Sequence, residues 1–151
     1  MKFLNIDMNL ECFIIFYNQE VFVNQRLNNI LEIISSENIT ILDDGSSDNT
    51  YTKIEHYLIK NNLQINLIRN QINMGIISNW KLCSRLCKKD YIWIIEGDDL
   101  SHQNFLVRFC KIKKKFKDLD IFSGITYSIN YQNKIIGRQT ERIFKQLNLE
   151  F

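Results

Sequence analysis

Apolar residues fall into two rhythms along the first 116 positions. The segments "CFIIF" (12–16), "NITIL" (38–42), "QINLI" (64–68) and "YIWII" (91–95) are short apolar-rich runs of strand length. Between them, apolar residues recur at helical spacing: Val23, Leu27, Ile30 and Ile34; Tyr51, Ile54 and Leu58; Ile76, Trp80, Cys83 and Cys87; Phe105, Phe109, Ile112 and Phe116. Asn18 is predicted to cap the first helix, Ser46 or Ser47 the second, and the turn at Asn73–Gly75 to open the third. Strands whose apolarity is nearly continuous are buried on both faces. Strand and helix in alternation therefore predict a parallel sheet with helices on both sides. Further on, "GITYSINYQNKIIG" (124–137) reads as a β-hairpin around Gln132–Asn133. Asp118 and Asp120 flank the start of an apolar run read as a strand, and Phe144, Leu147 and Phe151 share one helical stripe in the last segment.

Composition narrows the class without naming a function. A chain of 151 residues predicts one domain, 1–151, and 45% apolar with 24% charged residues suits a core built without disulfides. A formal charge of +2 is too small to argue for a nucleic-acid partner. No window reaches the length of a membrane span, and the start has too short an apolar run for a signal peptide. Cys12, Cys83, Cys87 and Cys110 lack the spacing of a zinc site and are expected to be buried reduced thiols in a cytoplasmic protein. The basic run "KIKKKFK" (111–117) is expected to be a solvated helix face, with contact to anionic lipid at the membrane surface as its functional alternative.

The chemistry gathers where strands stop. In open parallel sheets, ligands bind beyond the carboxyl ends of the strands. Tyr17 and Asn18 follow the first strand, Asp43 and Asp44 end the second, and "EGDD" (Glu96, Gly97, Asp98 and Asp99) ends the fourth. Carboxylates crowded together repel one another and are relieved by a cation or by hydrogen-bond donors. Gly45 and Gly97 permit tight turns beside them.

Plainer explanations exist for each feature. "DDGSSDNT" (43–50) is rich in turn formers and could be a turn and a helix cap. Asp44, Ser46, Asp48, Thr50, Thr52 and Glu55 also fall at the ligand positions of a calcium loop, although Asn49 stands where such a loop needs glycine. "EGDD" could be a solvated loop, and Tyr17 could be packing. His56 and His102 are expected to be surface or capping residues.

The order "FIIFYNQE", "ITILDDGSSDNT", "LIRNQINMGIISNW" and "YIWIIEGDD" resembles the family-2 glycosyltransferases over residues 11 to 109. The resemblance implies a GT-A fold, a Rossmann-like, mostly parallel sheet flanked by helices, with the donor-binding half at about 11–116 and the domain incomplete at its C-terminus. It implies that Tyr17 and Asp44 contact the nucleotide base, that Asn18, Asn73 and Gly75 stand near the donor, and that Glu96 faces the nucleotide sugar. Asp98, with Asp99 as a helper, would hold Mg2+ or Mn2+ against the diphosphate. The implied activity is transfer of a sugar from a nucleotide-diphosphate sugar to a glycan or lipid-linked acceptor, in surface polysaccharide synthesis. The family's acidic general base, usually in a later E-D-like motif, has no match here. Asp118, Asp120, Glu141 and Glu150 are poorly placed for that role. A nucleotide-sugar-binding remnant without catalysis, or a small calcium- or metal-binding module, is the alternative.

Overall fold

Leu10–Phe16 form the first strand, β1, with every residue but Glu11 buried. The structure is a computed structural model and describes residues 9–118, 120–122 and 124–138. β1 is followed by α1 (Val23–Leu31), β2 (Ile39–Asp43), α2 (Thr50–Lys60), β3 (Asn66–Arg69), α3 (Ile76–Leu86), β4 (Tyr91–Glu96) and α4 (Phe105–Lys115). These strands form one sheet in the order β3-β2-β1-β4, and every pairing is parallel. The mostly parallel, helix-flanked sheet expected from the sequence is the architecture observed.

Side chains alternate across the sheet and feed two cores. Cys12, Ile14 and Phe16 of β1 point to one side, where they join Val23, Leu27 and Ile30 of α1, Ile54 and Leu58 of α2, Trp93, Ile95 and Leu106. Phe13 and Ile15 point to the other side and meet Leu42 and Cys83 of α3. A fully buried Ile or Phe contributes about 1.5–3 kcal/mol, so β1, buried from both sides, anchors the sheet. Stacking of Trp93 on Phe105, with ring centroids 4.6 Å apart, fastens the start of α4 to the outer strand β4.

The ladder continues past the strands. Asp44 N–H donates to Phe16 O at 2.8 Å, Asn70 N–H to Asp43 O at 2.9 Å and Gly97 N–H to Ile15 O at 2.7 Å. The carboxyl ends are thereby held level, and the residues just after them share one rim. β2 and β3 extend to one side of β1 while β4 lies on the other. The direction of winding therefore reverses beside β1, which is where such sheets open a crevice.

Several local expectations differ from the structure. The N-cap of α1 is Phe22, not Asn18. Asn18 takes a left-handed φ of 51°, and its Oδ1 accepts from Ser47 N–H at 2.8 Å and Asp48 N–H at 3.3 Å, so it serves the neighbouring loop. The N-cap of α2 is Asn49 rather than Ser46 or Ser47. Asp48 Oδ1 accepts from Thr50 N–H at 2.9 Å and thereby fills the cap's role from one residue earlier. On α3 the inward residues are Asn79 and Cys83, while Ile76 and Trp80 are exposed. Cys12 and Cys83 are buried, but Cys87 and Cys110 are only half-buried; all four are free thiols.

The chain divides into two compact units, Met1–Cys110 and Lys111–Phe151. Within the second, β5 (Tyr127–Ile129) pairs antiparallel with β6 (Ile135–Arg138), the hairpin expected from the sequence, and Asn133 takes the positive φ of its turn. Among the described residues after Asp120, positions 121, 122 and 124–126 carry no strand, and β5 starts later. The expected stripe at 144–151, Glu141 and Glu150 lie outside the described residues.

Candidate functional site

A pocket of about 210 Å³ opens at the rim, lined by Ile15, Tyr17, Gln19, Asp44, Asn73, Gly75, Ile76, Asn79 and Glu96. Five of the eight residues expected from the sequence meet here: Tyr17, Asp44, Asn73, Gly75 and Glu96. Asn18, Asp98 and Asp99 do not line it. Asn18 is spent on the 46–48 loop, and the two aspartates lie just beyond Glu96 on the turn that follows β4.

Asp44 fixes one end of the pocket. It is buried, and its Oδ1 accepts from Asn70 Nδ2 at 2.7 Å and Met74 N–H at 2.9 Å, while Oδ2 accepts from Gly75 N–H at 3.0 Å. Asn70 Nδ2 also donates to Asn79 Oδ1 at 2.9 Å, and Asn79 Nδ2 donates to Gly75 O at 3.0 Å. This closed polar network folds the 70–75 segment over the end of β2. Gly45, at φ +69°, lets it lie flat: a Cβ there would stand 2.6 Å from Ile72 C. Asp43 is a different kind of residue. Its Oδ2 accepts from Ser46 N–H at 3.2 Å and faces Arg69 Nε at 3.3 Å, and Arg69 lies over the Tyr51 ring. Asp43 is thus the turn-capping acid of the pair, while Asp44 borders the pocket.

The 18–20 segment is pinned by its backbone. Asn18 N–H donates to Ser46 Oγ at 3.0 Å, Gln19 N–H to Thr50 Oγ1 at 2.8 Å and Glu20 N–H to Asp48 Oδ2 at 3.2 Å. Burial opposes ionisation of Asp48, but the hydrogen bonds from Thr50 and Glu20 outweigh it and hold the carboxyl below its ordinary range. These bonds engage Ser46, Asp48 and Thr50, three of the six calcium-loop positions, and Thr50 is buried at the start of α2. Among the described residues, no group of three or more His, Cys, Asp or Glu is placed to hold a metal by itself.

The other end is acidic. Trp80 Nε1–H donates to Glu96 Oε1 at 3.2 Å. Burial pushes the Glu96 carboxyl up; the Trp80 hydrogen bond opposes this, and the charges of Asp99 and Asp98 add to it. Asp99 is an exposed residue, yet its carboxyl loses enough water to be pushed up, with Asp98 adding to the shift and Arg26 opposing it. Arg26 is 1% exposed. Burial pushes its guanidinium down to about 10, against the pull of Cys12, Asp99 and Asp98. It donates to Asn29 Oδ1 at 2.9 Å, and Asn29 exchanges two hydrogen bonds with the backbone of Ser101, at 2.9 and 2.8 Å. A buried cation on α1 thus sits in the field of the two aspartates, and its neighbour Asn29 latches the loop behind them. His102 Nδ1 accepts from Asn104 N–H at 3.1 Å, the capping role expected of it.

Gln19, Asn70, Asn79, Trp80 and Arg26 carry no mark in the sequence reading as site residues. Asn70 could have been found, since it directly follows a strand as Asp44 does. Arg26 breaks the apolar stripe of α1, which is itself a signal. Gln19 and Trp80 become visible only through the fold.

A sequence model of the family described as Glycosyl transferase family 2 matches residues 12–150. An uncharacterised protein of Methanocaldococcus jannaschii is 32% identical over 113 residues, covering 71% of this chain and 47% of its own length. An uncharacterised glycosyltransferase of Mycoplasma genitalium is 27% identical over 121 residues, covering 78% of this chain and 39% of its own. The chain therefore spans less than half the length of these curated relatives. Among solved structures, the mannosyltransferase PcManGT from Pyrobaculum calidifontis, in complex with GDP-Man and Mn2+, superposes with a TM-score of 0.62 at 14% identity, over 83% of this chain and 37% of that one. S. aureus TarS in complex with UDP-GlcNAc superposes with a TM-score of 0.57 at 19% identity, over 73% and 32%. At these identities the structural likeness speaks for a shared fold.

Proposed function

This chain belongs to glycosyl transferase family 2, and from that premise we propose that it binds a nucleotide-diphosphate sugar and serves transfer of the sugar to a glycan or lipid-linked acceptor. The single observation that carries the reading is the convergence of Tyr17, Asp44, Asn73, Gly75 and Glu96 on one pocket beside β1, where the sheet's winding reverses. In this reading Tyr17, 43% exposed at the pocket, packs against the base. Asp44 borders the base and holds the 70–75 segment in place to receive it. Asn18 shapes the neighbouring loop rather than touching the donor.

A divalent cation suits the residues at the acidic end. Asp98 and Asp99 are exposed and adjacent, and the charge of Asp98 opposes ionisation of Asp99, so a cation there would be favoured. Two carboxylates do not make a closed cage, so a hard cation there would take its remaining ligands from phosphates and water. Asp98, helped by Asp99, would hold Mg2+ or Mn2+. When bound, such an ion neutralises charge building on the departing diphosphate. Neither carboxylate lining the pocket is assigned as the base that deprotonates the acceptor hydroxyl: Asp44 is committed to Asn70, Met74 and Gly75, and Glu96 Oε1 accepts from Trp80.

Among the described residues no helix is long and apolar enough to cross a membrane. Exposed Lys111, Lys114, Lys115 and Lys117 support a peripheral place on an anionic membrane face, and a cytoplasmic location with surface polysaccharide as the product belongs to the same proposal. The test is calorimetric titration with UDP, GDP and other nucleoside diphosphates, with and without Mn2+. Binding of at least one of them, tightened by the metal, is expected. A folded protein that takes up none of them would refute the reading.

A further inference from the structure

Arg26 is a buried cation without a paired anion. It is 1% exposed on α1, and among the described residues no carboxylate lies within ion-pair distance of it. Nη1 donates to Asn29 Oδ1 at 2.9 Å, the two Nη atoms reach Ser101 Oγ at only 3.4 and 3.5 Å, and Nε–H finds no acceptor among the described residues. Burying a guanidinium is costly unless opposite charge offsets it, and an apolar side chain would continue the stripe of Val23, Leu27 and Ile30 at less cost. Cys12 lies in its field, but burial pushes that thiol up to about 12 and leaves it uncharged at neutral pH. The opposite charges that face Arg26 are those of Asp99 and Asp98. Hydrogen bonds tie the two elements together. Asn29, on α1, donates to Ser101 O at 2.9 Å and accepts from Ser101 N–H at 2.8 Å, so the residue two places after Asp99 is fastened beside the guanidinium.

A fixed positive charge behind two exposed carboxylates changes what they hold. It repels a bare divalent cation and lowers the turn's affinity for it. It attracts a diphosphate, so it opposes the same cation less when that cation carries the diphosphate's negative charge. We propose that Arg26 is a positioning residue for the Asp98–Asp99 turn: its buried charge keeps the turn from filling with free Mg2+ or Mn2+ and reserves it for a cation that arrives with a nucleoside diphosphate. This rests on the donor-binding reading above, in which Asp98, helped by Asp99, holds the cation. The Asn29–Ser101 bonds keep the turn in register with the charge.

The experiment follows bare Mn2+ by the electron spin resonance of the free ion, and UDP and GDP by calorimetry in Mn2+ and in chelator, at neutral pH. The proteins are the wild type, Arg26→Met, Arg26→Lys, and Arg26→Met combined with Asp98→Ala, each checked for folding by circular dichroism. The wild type is expected to hold bare Mn2+ no more tightly than on the order of 1 mM, and at least one diphosphate should raise that affinity about 100-fold. Arg26→Met should bind bare Mn2+ about tenfold more tightly. The diphosphate's increment should shrink in step, and the gain should vanish when Asp98 is also changed. Arg26→Lys keeps the charge and should stay within about threefold of the wild type. A merely structural role predicts the opposite sign, weaker Mn2+ binding in Arg26→Met; that result, or no change, overturns the proposal while the donor site stands. A gain that survives Asp98→Ala also overturns it. So does a wild type that binds Mn2+ as tightly without a diphosphate as with one, a result that needs no variant to fold. If no diphosphate binds the wild type, the donor reading falls and takes the proposal with it.

Discussion

Asp44→Ala is expected to lower the midpoint of thermal unfolding by about 10 °C and to remove nucleotide affinity. The carboxylate is buried and accepts three hydrogen bonds, two of them from the backbone N–H groups of Met74 and Gly75. Removing it strands those donors under the 70–75 segment and breaks the network through Asn70 and Asn79. Hydrogen bonds to a charged acceptor contribute about 1.5–3 kcal/mol each and do not add fully, so a loss of about 3–4 kcal/mol is reasonable. For a domain of this size that is about 10 °C. Asp43→Ala should cost less, about 1–2 kcal/mol. Its partner Arg69 has a side chain 46% exposed, so water replaces the lost contact. Calorimetric unfolding of the two variants checks the order; equal losses, or a larger loss at Asp43, would reverse the roles of the two acids.

Asp98→Ala is expected to abolish the metal-dependent part of diphosphate binding while leaving the fold intact. Asp98 is exposed on the turn after β4, so its loss uncovers no core. A charged contact to the cation is worth on the order of 2–4 kcal/mol, or about 30- to 1,000-fold in affinity. Affinity measured without metal should change little, because the base and the rest of the pocket are untouched. Titrations of UDP or GDP in Mn2+ and in chelator separate the two parts. A variant that keeps its metal dependence would move the cation to other ligands.

Most of the sheet was legible because burial on both faces leaves a plain mark. "CFIIF" and "YIWII" have almost no polar residue to place, and they became the paired strands β1 and β4. The strand-end rule pointed to Tyr17, Asp44 and Glu96, each directly following or ending such a run, and all three line the pocket. Caps are harder to read. Asn18, Ser46 and Ser47 are all good cap residues by type, but they bond across a separation of 28 or 29 positions, which local spacing cannot reveal. The stripe on α3 misled for a similar reason. Trp80 is apolar and at helical spacing, yet it faces the rim rather than the core, while the polar Asn79 points inward to complete the Asp44 network. Arg26 breaks the stripe of Val23, Leu27 and Ile30, which marks it out, but only the fold shows that this buried cation lies in the field of Asp98 and Asp99.

The central claim is that the rim of β1, β2 and β4 holds a nucleoside diphosphate with a cation at Asp98. Anomalous scattering from Mn2+ in crystals grown with the best-binding nucleoside diphosphate tests it most directly. The expected map has the manganese peak at coordination distance from the Asp98 carboxylate and a diphosphate oxygen, with the base against Tyr17 and Asp44. A nucleotide bound elsewhere on the chain, or a manganese peak remote from Asp98 while the nucleotide fills the pocket, would contradict it.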